Sequence, residues 1–306
     1  MDLRGVDAES LAPVLAEQIE SWRTGLDWDF SASANLVRRF VQMHALTGYA
    51  LASRGRILGY AYYVCEDGKG LIGDLYVLKQ HRTAENENAL LHTTLDAMWQ
   101  TPGVRRIESQ LLMLADSGNR RVPYPSWFRS FPRLFLEAPL AASLPRRPLS
   151  PTIALIPWTE SWQEATGRLI AGAYQNHIDS QINDQYRSAL GARRFLTNIV
   201  QYPGCGSFFA PASFAATDKN VLCGASLASL VSHDVGHITQ VCVARSYQGA
   251  GLGYELMRSS MAALADHGCR AVSLTVTAEN KSALELYRNM GFVQRRGFSA
   301  YVWEPK

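Results

Sequence analysis

Cysteine is scarce and scattered in this 306-residue sequence, at Cys65, Cys205, Cys223, Cys242 and Cys269. An odd number, with no CxxC pair, excludes a complete disulfide framework and the ligand spacing of a zinc site. No metal is therefore expected, and most of the thiols read as small core residues. Cys205, in the turn Pro203-Gly204-Cys205-Gly206, reads as a loop thiol. Basic runs are also missing: none exceeds a pair such as Arg146-Arg147, and the formal net charge is only +3. Nothing in that balance calls for nucleic acid. No unbroken apolar stretch is long enough to span a bilayer, and Met1-Asp2-Leu3-Arg4-Gly5-Val6-Asp7 lacks the apolar region of a signal peptide. A soluble, cytoplasmic chain without a membrane partner is expected. The length allows one large or two medium domains, each with its own core.

Two familiar phosphate-binding signatures are absent as well. The glycine-rich run Gln248-Gly249-Ala250-Gly251-Leu252-Gly253 continues into Tyr254-Glu255. A P-loop needs Gly-Lys-Ser or Gly-Lys-Thr there, and a dinucleotide fingerprint needs glycine at 254 or 256, where Tyr254 and Leu256 stand. What the run does provide is a β-branched strand ending at Val243, a turn of small residues, and an amphipathic helix immediately behind it. Glycines let backbone N–H groups approach an anion closely, and the helix aims the positive end of its dipole at the same point. The pattern predicts a pyrophosphate cradle.

Gln248 to Gly253 resembles the Gln/Arg-x-x-Gly-x-Gly/Ala loop of the GNAT superfamily N-acetyltransferases. Asn280-Lys281-Ser282-Ala283-Leu284-Glu285-Leu286-Tyr287-Arg288-Asn289-Met290-Gly291-Phe292 is similar to that family's Asn-x-x-Ala-x-x-Leu-Tyr-x-x-x-Gly-Phe stretch. A helix and a strand separate the two motifs, in the family's order. The resemblance covers the C-terminal third well. It implies acetyl-coenzyme A as the donor, held by Gln248, Gly249, Ala250, Gly251, Leu252, Gly253 and Asn280. Backbone amides at Cys242 and Val243 would line the pantetheine and thioester. Tyr287, at the family tyrosine, would contact the cofactor and protonate the departing thiolate.

The general base is less fixed. His237 falls where serotonin N-acetyltransferase and similar members place one histidine of a pair, and an imidazole suits proton abstraction. Thr239 stands at the second position. Side chains alternate along the strand, so His237, Thr239 and Val241 are expected to share a face. Asp234, His233 or a water relay stay open.

The stretch from Leu136 to Pro151 concentrates prolines and separates two periodic regions. Before and after it the order of elements is the same: three strands, a loop, a helix and a strand, with Gly103 and Gly268 at matching helix exits. The expected architecture is α/β (α+β): two tandem GNAT-like domains, each a mixed, mostly antiparallel central sheet flanked by helices. Residues 1–136 would form a degenerate domain, 137–151 a Pro-rich linker, and 152–306 the catalytic domain. The N-terminal counterpart of the cradle, Gln80 to Ala89, has no glycine and carries Glu85 and Glu87, which would repel pyrophosphate. Such a tandem chain looks like mycothiol synthase, although no motif fixes that substrate.

Helical spacing over Trp162–Ala173 and Ile178–Val200 predicts two helices before the second core. In the family these helices and their connection form much of the acceptor wall, here dense in polar groups and including Asp179, Asp184 and Tyr186. A polar acceptor with a cationic amine, met by Asp179 or Asp184, fits that wall, as does a plain solvated helix face. The expected activity is transfer of acetyl from acetyl-coenzyme A to a primary amine by direct attack, with a small molecule or a protein or peptide amine as acceptor. The alternative is a non-catalytic acyl-coenzyme A sensor or scaffold, which would have no need of Tyr287.

Overall fold

A computed structural model describes residues 1–114, 121–141 and 144–305. The chain divides into two compact units, one of Met1–Arg133 with Gly297–Lys306, the other of Leu134–Arg296. The first opens with helices α1 (Ala8–Leu26) and α2 (Ser31–Gln42). Strands β1 (Gly48–Ser53), β2 (Arg56–Glu66) and β3 (Lys69–Val77), helix α3 (Ala84–Gln100) and strand β4 (Arg106–Gln110) follow. Strand β5 (Phe128–Pro139) runs from the first unit into the second. Asp7 caps α1 by accepting the Ser10 N–H, and Thr83 caps α3 by accepting the Asn86 N–H. The core gathers Leu90, Leu91, Leu95 and Met98 of α3 against Ile72, Leu75 and Ile107 of the sheet.

The second unit adds β6 (Ile153–Pro157), α4 (Gln163–Ala173), α5 (Asp179–Ile182), α6 (Ala189–Gln201) and β7 (Ser207–Phe208). Then come β8 (Phe214–Asp218), β9 (Val221–Leu230), β10 (Val235–Val243), α7 (Leu252–Asp266), β11 (Ala271–Thr277), α8 (Lys281–Asn289) and β12 (Val293–Trp303). Neighbouring strands run β11, β10, β9, β8, β6, all antiparallel except β10 with β11. One face of β10 meets α7 through Ile238, Met257 and Leu264, and the other meets α4 and α6 through Cys242, Ile170 and Leu196.

Several elements differ from their sequence reading. The long helix expected over 178–200 is two: Asn183 accepts the Gln185 N–H and Ser188 caps a fresh helix on Gly191. Pro211 sits in a tight turn that separates β7 from β8. The expected linker begins inside β5, which extends to Pro139, and β12 belongs to the first unit from Gly297 on, where Ala300–Trp303 pair with β4. Helices α1 and α2 carry no motif and were not anticipated.

Internally, the two units repeat each other residue by residue. In the first, β3 and β4 pair in parallel from Lys69↔Arg106 to Ile72↔Ser109, and a bulge follows at Gly73. In the second, β10 and β11 pair from Val235↔Ala271 to Ile238↔Leu274, and a bulge follows at Thr239. Short 3-10 turns come next at Lys79–His81 and Arg245–Tyr247. Arg82 then donates to the Val77 carbonyl at 3.0 Å, as Gln248 does to that of Val243 at 3.1 Å. The numbering offset between the units is constant from Lys69 and Val235 through Arg82 and Gln248, and one residue shorter between β4 and β11.

Beyond that point the units part. Helix α3 starts at once, and Thr83 accepts the N–H that an anion would use. Polar side chains of α1 also cover β3 past its bulge: Gln18 Nε2 lies 2.6 Å from Asp74 Oδ2, and Glu17 Oε1 accepts the Lys79 N–H at 2.8 Å. Burial raises the Asp74 carboxyl above its ordinary value, opposed by hydrogen bonds from Tyr60, Gln18 and the Leu75 N–H. The end of the first unit that corresponds to the glycine loop is filled by the chain itself.

Candidate active site

Four paired residues hold β10 to β11, and after Ile238 and Leu274 the two strands separate towards the glycine loop. The bulge at Thr239 resets the alternation of side chains. His237 lies opposite Ser229, Gln240 opposite Leu227 and Cys242 opposite Ala225, so these three share a face while Ile238, Val241 and Val243 share the other. The expected grouping of His237 with Val241 is corrected by that extra residue.

Main-chain direction follows from the same register. Ala244 donates its N–H to Cys223 of β9, whereas the Val241 oxygen accepts from Tyr174 Oη at 3.2 Å and the Val243 oxygen accepts from Gln248. In an antiparallel pair a residue's N–H and C=O point to the same edge. Val241 and Val243 therefore turn their N–H groups to the gap left by β11, and Cys242 turns its own to β9. Of the two residues singled out from the sequence, Val243 turns its N–H to the gap and Cys242 does not. Burial pushes the Cys242 thiol up to about 12.

The loop itself is built for an anion. Gly249 and Gly251 sit at φ 76° and 82°, where a side chain would strain the backbone. Tyr247 donates to Asp218 at 2.8 Å, Arg245 donates to the Gln175 carbonyl, and Gln248 reaches back to Val243, which together pin the approach to the loop. Gly251 is the N-cap of α7 and offers no side-chain acceptor. Among the described residues, none of the N–H groups of Gly249, Ala250, Gly251, Leu252 and Gly253 makes a hydrogen bond. A row of unspent donors at a helix start fits a diphosphate in both charge and geometry.

Across the gap, Asn280 Oδ1 accepts the Ala283 N–H at 3.3 Å and caps α8. Tyr287, on that helix, is buried against Phe292 with ring centroids 5.8 Å apart, and it lies close enough to Tyr174 to act on it electrostatically. Tyr174 was not singled out from the sequence. It receives Gln240 Nε2 at 3.1 Å, and Tyr186 donates to Gln240 Oε1 at 3.2 Å, forming a chain that ends on the Val241 oxygen. Only the burial of Gln240 behind a strand bulge reveals that chain, and no sequence spacing encodes it. Burial, followed by the nearby Tyr186, Asp179, Cys242 and Tyr287, raises the Tyr174 phenol well above its ordinary value.

His237 occupies a different environment from the one a base requires. It is buried, stacked on Phe135 and bonded to Ser273 Oγ at 2.8 Å, and burial lowers its imidazole to about 3. Burial thus disfavours the charged ring that proton abstraction would create. His233 and Asp234 lie at the far end of β10, with Asp234 held by Arg270 at 2.9 Å.

The segment expected to form the acceptor wall borders a recess of ≈ 420 Å³ lined by Tyr174, His177, Ser180, Gln181 and Arg187 among others. Asp179 stands beside it, but its oxygens receive Thr277 Oγ1 and face His177 Nδ1 at 3.6 Å. Tyr186 joins the network described above, and Asp184 begins the 3-10 turn Asp184–Arg187. Among the described residues, no group of three His, Cys, Asp or Glu side chains could hold a metal, and no helix is long and apolar enough to cross a membrane.

Comparison with known proteins agrees with this geometry. Residues 178–292 match the model of the Acetyltransferase (GNAT) family. N-alpha-acetyltransferase MAK3 of Arabidopsis thaliana is 33% identical over 66 residues, which make up 22% of this chain and 35% of that relative, so the chain spans about a third of its length. A GCN5-related N-acetyltransferase from Sphaerobacter thermophilus shares the fold with a TM-score of 0.68 and 17% identity, over 97% of this chain and 92% of that one. A tandem GNAT protein from the clavulanic acid biosynthesis pathway does so with a TM-score of 0.57 and 15% identity, over 86% of this chain and 84% of that one. The part of the chain that holds the splayed strands, the glycine loop and Tyr287 is an acetyltransferase domain of the GNAT family.

Proposed function

We propose that the unit Leu134–Arg296 transfers an acetyl group from acetyl-coenzyme A to a primary amine by direct attack. The observation that carries this reading is the row of unpaired N–H groups from Gly249 to Gly253 beside strands that part at Ile238 and Leu274. Bound there, acetyl-coenzyme A would supply a thioester carbonyl open to a nitrogen nucleophile. The loop amides would hold its diphosphate, and the N–H groups of Val241 and Val243 would fix the chain and polarise the carbonyl. Tyr287 Oη would give its proton to the departing thiolate. The acceptor nitrogen would enter from the recess at Tyr174, which His177 also lines.

Two observations favour direct attack over a covalent enzyme intermediate. The Cys242 thiol is buried and held protonated, and its side chain points into the core with Ile170 and Leu196. The first unit, with its helix start capped by Thr83 and its strand covered by α1, would bind no coenzyme A, giving one site per chain. Acceptor amines would be small molecules or the free N-termini of peptides, the second class suggested by the N-alpha-acetyltransferase relative.

The test is release of thiol from acetyl-coenzyme A by the full chain across a panel of small amines, amino acids and peptides. Thiol release that depends on an acceptor supports the reading. Tight coenzyme A binding without turnover on any acceptor would favour a non-catalytic acyl-coenzyme A sensor instead.

A further inference from the structure

Arg146-Arg147, the basic pair in the proline-rich segment, has no part in the chemistry above. The segment carrying it is fastened to the start of α7. Tyr254 Oη donates to the Pro145 carbonyl at 2.8 Å, the Arg147 N–H donates to Glu255, and Leu144 and Leu149 pack on the two apolar clusters beneath. The Arg147 guanidinium lies 4.0 Å from the centroid of the Tyr254 ring, and a Cβ built on Gly251 would stand 4.0 Å from Arg147 Cδ. The side chain thus runs beside the N-cap of the cradle.

Its charge is uncommitted. Glu255, the acid in the first turn of α7, is paired with Arg258 at 2.8 Å, and it meets only the main chain of Arg147. Among the described residues, the Arg147 guanidinium has the Tyr254 ring as its partner and forms no ion pair. Stacking on an aromatic face leaves the planar N–H fork of an arginine free at its edge, which suits bidentate contact with a phosphate.

We propose that Arg147 is a cofactor-binding residue, contributed by the proline-rich segment, that closes over a phosphate of coenzyme A at the start of α7. This rests on the reading of the glycine loop as the coenzyme A cradle. It adds a determinant from outside the two sequence motifs: a cation supplied by the chain that leads into the domain. A proline-rich segment suits the task, because fixed backbone angles reduce the entropy lost in presenting the side chain.

The experiment is calorimetric titration of the full chain, wild type, Arg147→Gln and Arg147→Lys, with coenzyme A and with 3′-dephospho-coenzyme A. Arg147→Gln should weaken coenzyme A binding about tenfold, the worth of one charge-assisted phosphate contact, while Arg147→Lys, which keeps the charge and loses the fork, should fall between Arg147→Gln and wild type. An equal loss with both ligands assigns the diphosphate as partner, and a loss confined to coenzyme A assigns the 3′-phosphate; either supports the proposal. Wild-type affinity in Arg147→Gln overturns it and leaves the cradle standing. A wild-type chain without affinity for coenzyme A overturns both.

Discussion

Tyr174 holds the main-chain oxygen of Val241 at 3.2 Å, at the stretch where β10 has left β11. That bond, backed by Gln240 and Tyr186, orients the one strand edge that would face the thioester. Tyr174→Phe removes one partner each from the Val241 oxygen and the Gln240 amide nitrogen, which are left with their mutual contact at 3.4 Å. Unfolding in urea should show a loss of about 1–3 kcal/mol, the cost of stranding buried polar groups, and acetyl-coenzyme A should bind more weakly.

Tyr287 is assigned to the leaving group, so its removal should separate binding from chemistry. Tyr287→Phe keeps the ring that packs on Phe292 and deletes only the hydroxyl. Single-turnover kinetics should show the chemical step slowed about a hundredfold, the range of a lost general acid, with coenzyme A affinity within about threefold. Unaltered turnover would remove Tyr287 from the mechanism.

Cys242→Ala tests direct attack. The buried thiol, pushed up to about 12, takes no part as a nucleophile, so the variant should remain active. Its cost should be confined to stability, on the order of 1 kcal/mol for a small buried group. Trapping of an acetyl-enzyme in the wild type, absent in the variant, would contradict this.

His237 gives a signature in stability against pH. Its folded value, about 3, lies below the ordinary imidazole value of 6.5, so the unfolded chain binds the extra proton between those limits. The contribution of His237 is complete above pH 6.5 and is lost as pH falls towards 3. His237→Gln should flatten this part of the stability profile while remaining active at neutral pH. A large fall in turnover, with Tm preserved, would restore the histidine as the base.

Much of the second unit is legible in the sequence because its motifs are local. Gly249, Gly251 and Gly253 state the loop, Asn280 states a cap, and the α7, β11, α8 order follows from apolar spacing. The internal repeat is legible too, and its constant offset through Gly73 and Thr239 lies beneath any residue identity. What could not be read are effects of register and tertiary contact. One extra residue at Thr239 moved His237 to the face of Gln240 and Cys242, and strand alternation alone cannot anticipate a bulge. Tyr174 matters through a hydrogen bond to a residue 67 positions further along the chain, and Arg147 through a segment whose prolines read as a linker. Asp179, expected to meet a cationic amine, is already engaged by Thr277 and His177.

The central claim is that main-chain amides at the start of α7 grip the diphosphate of coenzyme A. Calorimetric titration of wild type and Gly251→Asp with coenzyme A tests it most directly. At φ 82° the substitution strains the turn and sets a carboxylate among the donors. The account predicts one site per wild-type chain and no measurable binding in the variant; undiminished binding by Gly251→Asp would contradict it.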